Sequence, residues 1–349
     1  MDNIFYTNGK PYIIAGPCSI ENREQLHRTV VPLLDDERIQ LIRGGVWKPR
    51  SRPGGFEGLG EPALQWVAEL KAQHPHMRFC CEVAHPAHVE LCMRYHVDAL
   101  WIGARTSGDP FSMGELCAAL RGTDTPVLVK NPTTPDIQLW IGAIERVMEA
   151  GIHHVAAVHR GFFTYNSIGY RNNPLWEVPI ELKRRMPQLP LFCDPSHIAG
   201  QRDPLLQLMQ TALDLHFDGL MVEVHHQPDA ALTDQQQQID PQRFLHMLDR
   251  LILRSQEELS SEELTLLRQQ IDQIDQQILQ CLHTRCELSR SIAQVKKRNN
   301  TTILQPKRWE SVLENKIAVA QHLGLSTAFV KDLYEKIHAE SVRIQEEEE

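Results

Sequence analysis

The chain has no apolar run of membrane-spanning length, and no basic stretch leads into an apolar one at its start. Neither a helical span nor a secretory leader is expected, and the cytoplasm is the expected compartment. It has no basic excess either. Lys and Arg number 36 against 45 Asp and Glu, for a formal net charge of −9. Such a surface disfavours nucleic acid as a partner. The eight cysteines show no metal-knuckle spacing, and Cys80 and Cys81 are adjacent, which does not suit a disulfide framework. Reduced and mostly buried thiols are expected, with Cys18 as the exception. A Gly-x-Gly-x-x-Gly fingerprint is missing too, which weakens the case for an open, doubly wound sheet.

What is present is an alternation. Eight short apolar, β-branched runs lie between residues 12 and 226: Tyr12–Cys18, Ile39–Ile42, Arg78–Val83, Ala99–Ile102, Val127–Lys130, His153–His159, Leu189–Asp194 and Gly219–Val224. Segments of helical periodicity separate them, among them Glu61 to Gln73, Asp136 to Ala150 and Pro204 to His216. Strands alternating with helices imply a parallel sheet, and eight repeats imply a closed (β/α)8 barrel. Polar residues collect where the runs end: Cys18, Arg43, Glu82, Arg105, Lys130, Arg160, Asp194 with His197, and Glu223. In a closed barrel those ends share one mouth. A single cation at a strand end reads as a solvated surface residue, whereas a cation at strand after strand points to an anionic ligand. The densest example is Arg43 to Ser51, in which two glycines follow Arg43 and Lys48, Arg50 and Ser51 come next.

Composition changes after a last barrel helix, Pro241 to Leu253, and a polar bridge, Arg254 to Glu263. From Leu264 onward there is a single proline and no strand-like run. Leu264, Leu267, Ile271, Ile274, Ile278, Cys281, Leu288, Ile292 and Val295 step by three and four, with a gap at Arg285. This predicts a long helix with a coiled-coil-like seam. Two shorter helices follow, Pro306 to Leu323 and Thr327 to Ile344, with Gly324 ending the first and Ser326 or Thr327 capping the second. The expected organisation is a barrel over 1–253, a linker over 254–263 and an all-helical domain over 264–349 that dimerises.

Ala15-Gly16-Pro17-Cys18-Ser19, the Arg43–Ser51 stretch, Gly103-Ala104-Arg105, Lys130, Arg160-Gly161, Asp194-Pro195-Ser196-His197 and Glu223-Val224-His225 stand in one order. That order resembles the 3-deoxy-D-arabino-heptulosonate 7-phosphate (DAHP) synthases, most of all their compact microbial type I subclass. The resemblance spans residues 10 to 250 and implies condensation of phosphoenolpyruvate with erythrose 4-phosphate. It further implies Cys18, His197, Glu223 and Asp234 as ligands of a divalent ion (Mn, Fe, Co or Zn), donors that suit such an ion. Arg105, Lys130 and Arg160, with Arg43 nearby, become phosphoenolpyruvate anchors. Lys48 becomes a contact to both substrates, and Arg50 with Ser51 the site of the aldose phosphate. Glu82 and Lys130 are candidates to position the water that adds. A sister family acting on arabinose 5-phosphate shares the Gly-Pro-Cys start, but Lys48-Pro49-Arg50-Ser51 favours the erythrose enzyme. A Schiff-base aldolase using Lys130 needs neither a ring of cations nor a thiolate.

The segment from Leu264 to Gln345 is similar to the all-helical chorismate mutases. That resemblance puts Arg268, Arg285, Lys296, Arg308, Ser341 and Gln345 at active-site positions. Gln305 and Trp309 depart from it, since the family usually carries Asp and Glu there. Arg268 and Arg285 are seventeen residues apart, roughly 25 Å along one helix, so one small dicarboxylate cannot meet both within a chain. Arg268 is therefore expected to serve a partner subunit. The chemistry implied is a unimolecular rearrangement of chorismate to prephenate, with a binding-only regulatory module as the alternative. With the barrel motif beginning at Ala15, feedback control is expected to fall to the helical domain, with prephenate as the inhibitor.

Overall fold

The structure is a computed structural model. It describes residues 3–6, 9–48, 54–165, 169–254 and 261–347. The chain divides into two compact units, 1–256 and 257–349.

The first unit is a closed barrel of eight parallel strands in sequence order: β1 (Tyr12–Gly16), β2 (Ile39–Arg43), β3 (Phe79–Val83), β4 (Ala99–Ile102), β5 (Val127–Lys130), β6 (Val155–His159), β7 (Leu191–Cys193) and β8 (Gly219–Glu223). β8 pairs with β1 from Tyr12↔Gly219 to Gly16↔Glu223, which closes the ring. Most strand residues are buried. Barrel filling covers one face and the helical layer the other, so these strands read as continuous apolar runs rather than alternating ones. Helix Glu61–Gln73 has the bounds its periodicity predicts. Asp136, Asp194 and Asp240 each accept a backbone N–H from the first turn of the helix they precede, which ends a loop and starts a helix at a fixed place.

Gly16 explains how tightly the mouth is drawn. Its φ is +145°, and a Cβ there would lie 2.2 Å from the Arg43 carbonyl oxygen. Only glycine lets β1 and β2 approach this closely while carrying Cys18 and Arg43 just beyond.

The second unit consists of helices Glu262–Arg298, Pro306–His322 and Thr327–Glu347. Ser261 caps the first by accepting from Leu264 N. Gly324, at φ +70°, follows the second, and Ser326 accepts from Phe329 N to start the third. That third helix runs three residues past the expected Ile344. The expected linker, 254–263, lies largely outside the described residues.

The thiols need one correction. Cys18, expected to be the exception among buried cysteines, is itself buried, while Cys281 is exposed and Cys286 half-buried. Cys18 sits on the tight β1 exit beneath the 234–238 loop, whereas the other two lie on a helix whose seam is uncovered. No helix among the described residues is long and apolar enough to cross a membrane.

Candidate active sites

The barrel mouth holds a cavity of about 960 Å³. Lys48, Glu82, Arg105, Lys130, Arg160, His197 and Asp234 line it, so seven residues from distant parts of the sequence meet at one surface. Asn172 and Arg171 join them from the loop after β6.

Four donors gather at one side. Ligand atoms of Cys18, Glu223 and Asp234 all lie within 4.8 Å of one another. Cys18 Sγ stands 3.0 Å from Asp234 Oδ2, and His197 Nε2 stands 3.7 Å from Glu223 Oε1. Burial and the neighbouring Glu223 carboxylate push the Cys18 thiol up. The carboxyls go the other way. Burial alone would raise Asp234, but Lys48, His197 and Arg171 hold it below the usual range. Burial likewise opposes ionisation of Glu223, and His197 and Arg43 overcome it. Burial would lower the Lys48 ammonium, yet Cys18, Glu223 and Asp234 raise it instead. A thiol, an imidazole and two ionised carboxylates around one point are a donor set suited to a borderline divalent ion.

Asp194 ties the two halves of the mouth together. Lys130 Nζ donates to its Oδ2 at 2.7 Å, and His197 Nδ1 lies 2.8 Å from the same oxygen. The His197 contact is not an aligned hydrogen bond. Arg43 Nη1 is 3.9 Å away, and burial of Asp194 is outweighed by these partners, so its carboxyl stays well below the ordinary range. The sequence marked Asp194 as a strand end without assigning it a role.

Arg43 departs from the expected ring. It does not line the cavity. Its side chain is 1% exposed beneath the floor, where Nη2 donates to Glu223 Oε1 at 3.0 Å. Alternation along β2 aims Arg43 at the barrel interior, and depth along that axis cannot be read from a sequence. Arg160 does reach the mouth. Its N–H donates to Asn131 Oδ1 and its Nη1 to Asn172 Oδ1, both at 2.7 Å. Burial lowers its pKa to about 10, so an anion brought alongside would restore what desolvation removes. Asn131, Asn172 and Gln237 escaped the sequence reading. Gln237 Nε2 donates to Glu223 Oε2 at 2.6 Å. Short amides in loops carry no periodicity that could have flagged them. Arg50 and Ser51 lie outside the described residues.

The helical unit assembles a smaller cluster. Arg285 donates to Ser341 Oγ and, at 3.3 Å, to the Ile337 carbonyl. Lys296 Nζ donates to Gln345 Oε1 at 3.0 Å and to the Ile303 carbonyl. Burial lowers the Lys296 pKa. Four of the six expected residues therefore meet between the first and last helices. Arg308 is exposed on the middle helix, and Arg268 is exposed on the same helix as Arg285. Trp309, one of the two departures, stacks on His338 with centroids 4.0 Å apart.

The sequence model of the DAHP synthetase I family matches residues 2–257. The chain belongs to the DAHP synthetase I family. Residues 267–346 match the type II chorismate mutases. Phospho-2-dehydro-3-deoxyheptonate aldolase of Thermotoga maritima is 31% identical over 244 residues, 70% of each chain. A crystal structure of that organism's phospho-2-dehydro-3-deoxyheptonate aldolase (DAHP synthase) superposes with a TM-score of 0.62 at 30% identity, covering 70% of this chain and 69% of that one. The 4-amino-4-deoxychorismate mutase of Streptomyces pristinaespiralis is 28% identical over 88 residues, 25% of this chain and 68% of that one. This protein is a type I DAHP synthase domain fused to a C-terminal chorismate mutase domain, a bifunctional enzyme of aromatic biosynthesis.

Proposed function

We propose that the barrel condenses phosphoenolpyruvate with erythrose 4-phosphate, giving DAHP and phosphate, at the mouth described above. The observation that carries this reading is the cavity itself, where Arg105, Lys130, Arg160 and Lys48 face a Cys/His/Glu/Asp set across one space. Phosphoenolpyruvate is a small, highly charged anion, and fixed cations replace its water shell. Arg105, Arg160 and Lys130 hold its phosphate and carboxylate, and Arg43 adds positive potential from beneath. Lys48 stands between this anion and the aldose. Arg50 and Ser51 complete the aldose phosphate site.

Cys18, His197, Glu223 and Asp234 would hold a divalent ion (Mn, Fe, Co or Zn). When bound, such an ion supplies Lewis-acid polarisation of the aldehyde. The enol carbon forms a bond to the aldehyde carbon, the carbonyl electron pair moves to the aldehyde oxygen and that oxygen takes up a proton. Water adds to the cationic carbon left behind and gives up a proton, and the C–O bond to phosphate breaks as the new carbonyl forms. Glu82 and Lys130 sit on neighbouring walls of the cavity and serve to orient that water. Asp194 holds the Lys130 ammonium and the His197 ring in place. The direct test is loss of phosphoenolpyruvate on purified protein with erythrose 4-phosphate. Equal turnover with arabinose 5-phosphate would favour the sister reaction instead.

For the helical unit, we infer that chorismate binds against Arg285, Lys296, Ser341 and Gln345, with Arg308 as a further contact. Arg285 and a partner subunit's copy of Arg268 clamp the two carboxylates in a reactive chair. Lys296 and Gln345 stabilise charge on the ether oxygen. Support for a dimer comes from the first helix, whose Leu267, Ile271, Ile274 and Ile278 are each about half exposed or more. A long helix with a single apolar seam needs a covering surface. Feedback by prephenate through this unit completes the proposal. Its test is phosphoenolpyruvate consumption near half-saturation with and without prephenate.

A further inference from the structure

Trp101 occupies the centre of the barrel on β4 and is 1% exposed. Three groups of the proposed condensation site lean on it. The Arg43 guanidinium carbon lies 5.0 Å from its ring centroid, and Lys130 Nζ lies 5.7 Å away. Both are inside the roughly 6 Å reach over which the negative face of an aromatic ring attracts a cation. At the ring's edge, Nε1 donates to Glu82 Oε2 at 3.3 Å. The β3–β4 ladder enforces this last contact, because Glu82 and Trp101 are register partners.

The cations have a physical need for that face. Arg43 Nε and Nη1 have no hydrogen-bond acceptor although the side chain is buried. An unpaired, desolvated donor is costly, and the indole face is a surface of the right sign against it. Lys130 already directs a hydrogen bond to Asp194, and the ring supports it from another side. Glu82 is confined by a second device. A Cβ at Gly103 would lie 2.1 Å from Glu82 Oε1, so the carboxylate fills the space that glycine leaves.

We propose that Trp101 is a positioning residue with two separable tasks. Its face holds Arg43 and Lys130 where the phosphoenolpyruvate anion is anchored, and its Nε1–H holds Glu82 towards the carbon that takes up water. This rests on the condensation reading given above. A tryptophan that merely filled the barrel would affect stability alone. One with two tasks must separate anion binding from turnover.

Two substitutions make that separation. Trp101→Phe keeps an aromatic face and removes the N–H, whereas Trp101→Leu removes both. In the intact protein, phosphoenolpyruvate affinity is read by calorimetry, KM and kcat by its consumption, and folding by near-ultraviolet circular dichroism. Trp101→Phe should leave phosphoenolpyruvate affinity and KM unchanged and lower kcat about tenfold, the scale of one lost hydrogen bond to a charged group. Trp101→Leu should show the same loss and, in addition, bind phosphoenolpyruvate roughly tenfold more weakly. In a Glu82→Gln background, Trp101→Phe should cost no further kcat, because both changes act on one contact. If Trp101→Leu does not fold, Trp101→Phe and the double variant decide the matter. The proposal is overturned if Trp101→Phe weakens anion binding as much as Trp101→Leu, or if its kcat loss is fully additive with that of Glu82→Gln. A wild-type protein that binds phosphoenolpyruvate but does not condense it refutes the reading of the reaction and leaves only the anion-holding task. One that does not bind it refutes both.

Discussion

The barrel and the helical unit handle charge in opposite ways. In the barrel, Arg43, Asp194 and Glu223 are at most 1% exposed and offset one another's charge inside the fold. In the helical unit, Arg268 and Arg308 stand on the surface, and the first helix leaves its apolar seam uncovered. The barrel thus carries its electrostatics in place, held by strands that cannot shift without losing a ladder. The helical unit is proposed to offer only part of a site within one chain, with the remainder coming from a second copy. A preorganised site resists change but tolerates none at its core, while a shared site depends on association.

Metal removal should break this comparison most sharply. A chelator, or Cys18→Ala, should abolish phosphoenolpyruvate consumption while chorismate conversion continues, measured on one sample. Synthase activity that survives saturating chelator would remove the basis for the Cys18, His197, Glu223 and Asp234 assignment. Next in size are the anchors. Arg160→Ala should lower condensation by about 10²–10³-fold and spare chorismate turnover, and Arg285→Ala should do the reverse. A fall in both activities for either variant would mean that the two units do not work independently.

Association comes third. Ile271→Asp places a charge on the exposed seam and should shift the protein from dimer to monomer in sedimentation. Mutase activity should fall with the dimer, since Arg268 would lose its reach into a partner's site. An unaltered oligomeric state would argue that some other surface covers the seam. Feedback is a smaller effect. A coupling of about 1–3 kcal/mol between prephenate and the barrel would give inhibition of several-fold to about a hundredfold, which Arg285→Ala should weaken. Saturating prephenate without effect on the intact protein would remove the idea.

The smallest effect near neutral pH is one on barrel stability. His159 is fully buried among Trp140, Phe162, Trp176 and Phe217, and neither ring nitrogen makes an aligned hydrogen bond. Burial pushes its pKa down to about 3, only partly opposed by the Pro174 carbonyl. The unfolded chain binds this proton below about pH 6.5 and the folded chain does not, so acid favours unfolding. Stability contributed here is full above pH 6.5 and falls by about 1.4 kcal/mol per pH unit between there and about pH 3. His159→Phe should flatten the acid side of the barrel's melting profile. An unchanged slope would show that other groups set it.

Much of this architecture was legible beforehand, for a definite reason. Strands buried on both faces advertise themselves as apolar runs, and helix starts are marked by Asp and Ser. Strand ends then pointed to Arg105, Lys130, Arg160 and His197, all of which face the cavity. What stayed hidden were residues whose role depends on direction. Trp101 lies in an apolar run and reads as filler until its neighbours across the barrel are known. Asp194 resembles an ordinary helix cap, which it also is. Arg43 was found, but its depth was not, because sequence position fixes which way a strand residue points and not how far below the rim it ends.

Gly103 carries a consequence for how variants of this enzyme should be interpreted. It sits just past β4, and the three nearest atoms a methyl group there would meet all belong to the flexible side chain of Glu82. Gly103→Ala should therefore leave the barrel folded, the cavity open and every charged residue present, while swinging one carboxylate out of place. Such an allele would pass a solubility screen, a melting assay and an inventory of catalytic side chains, and still consume phosphoenolpyruvate more slowly.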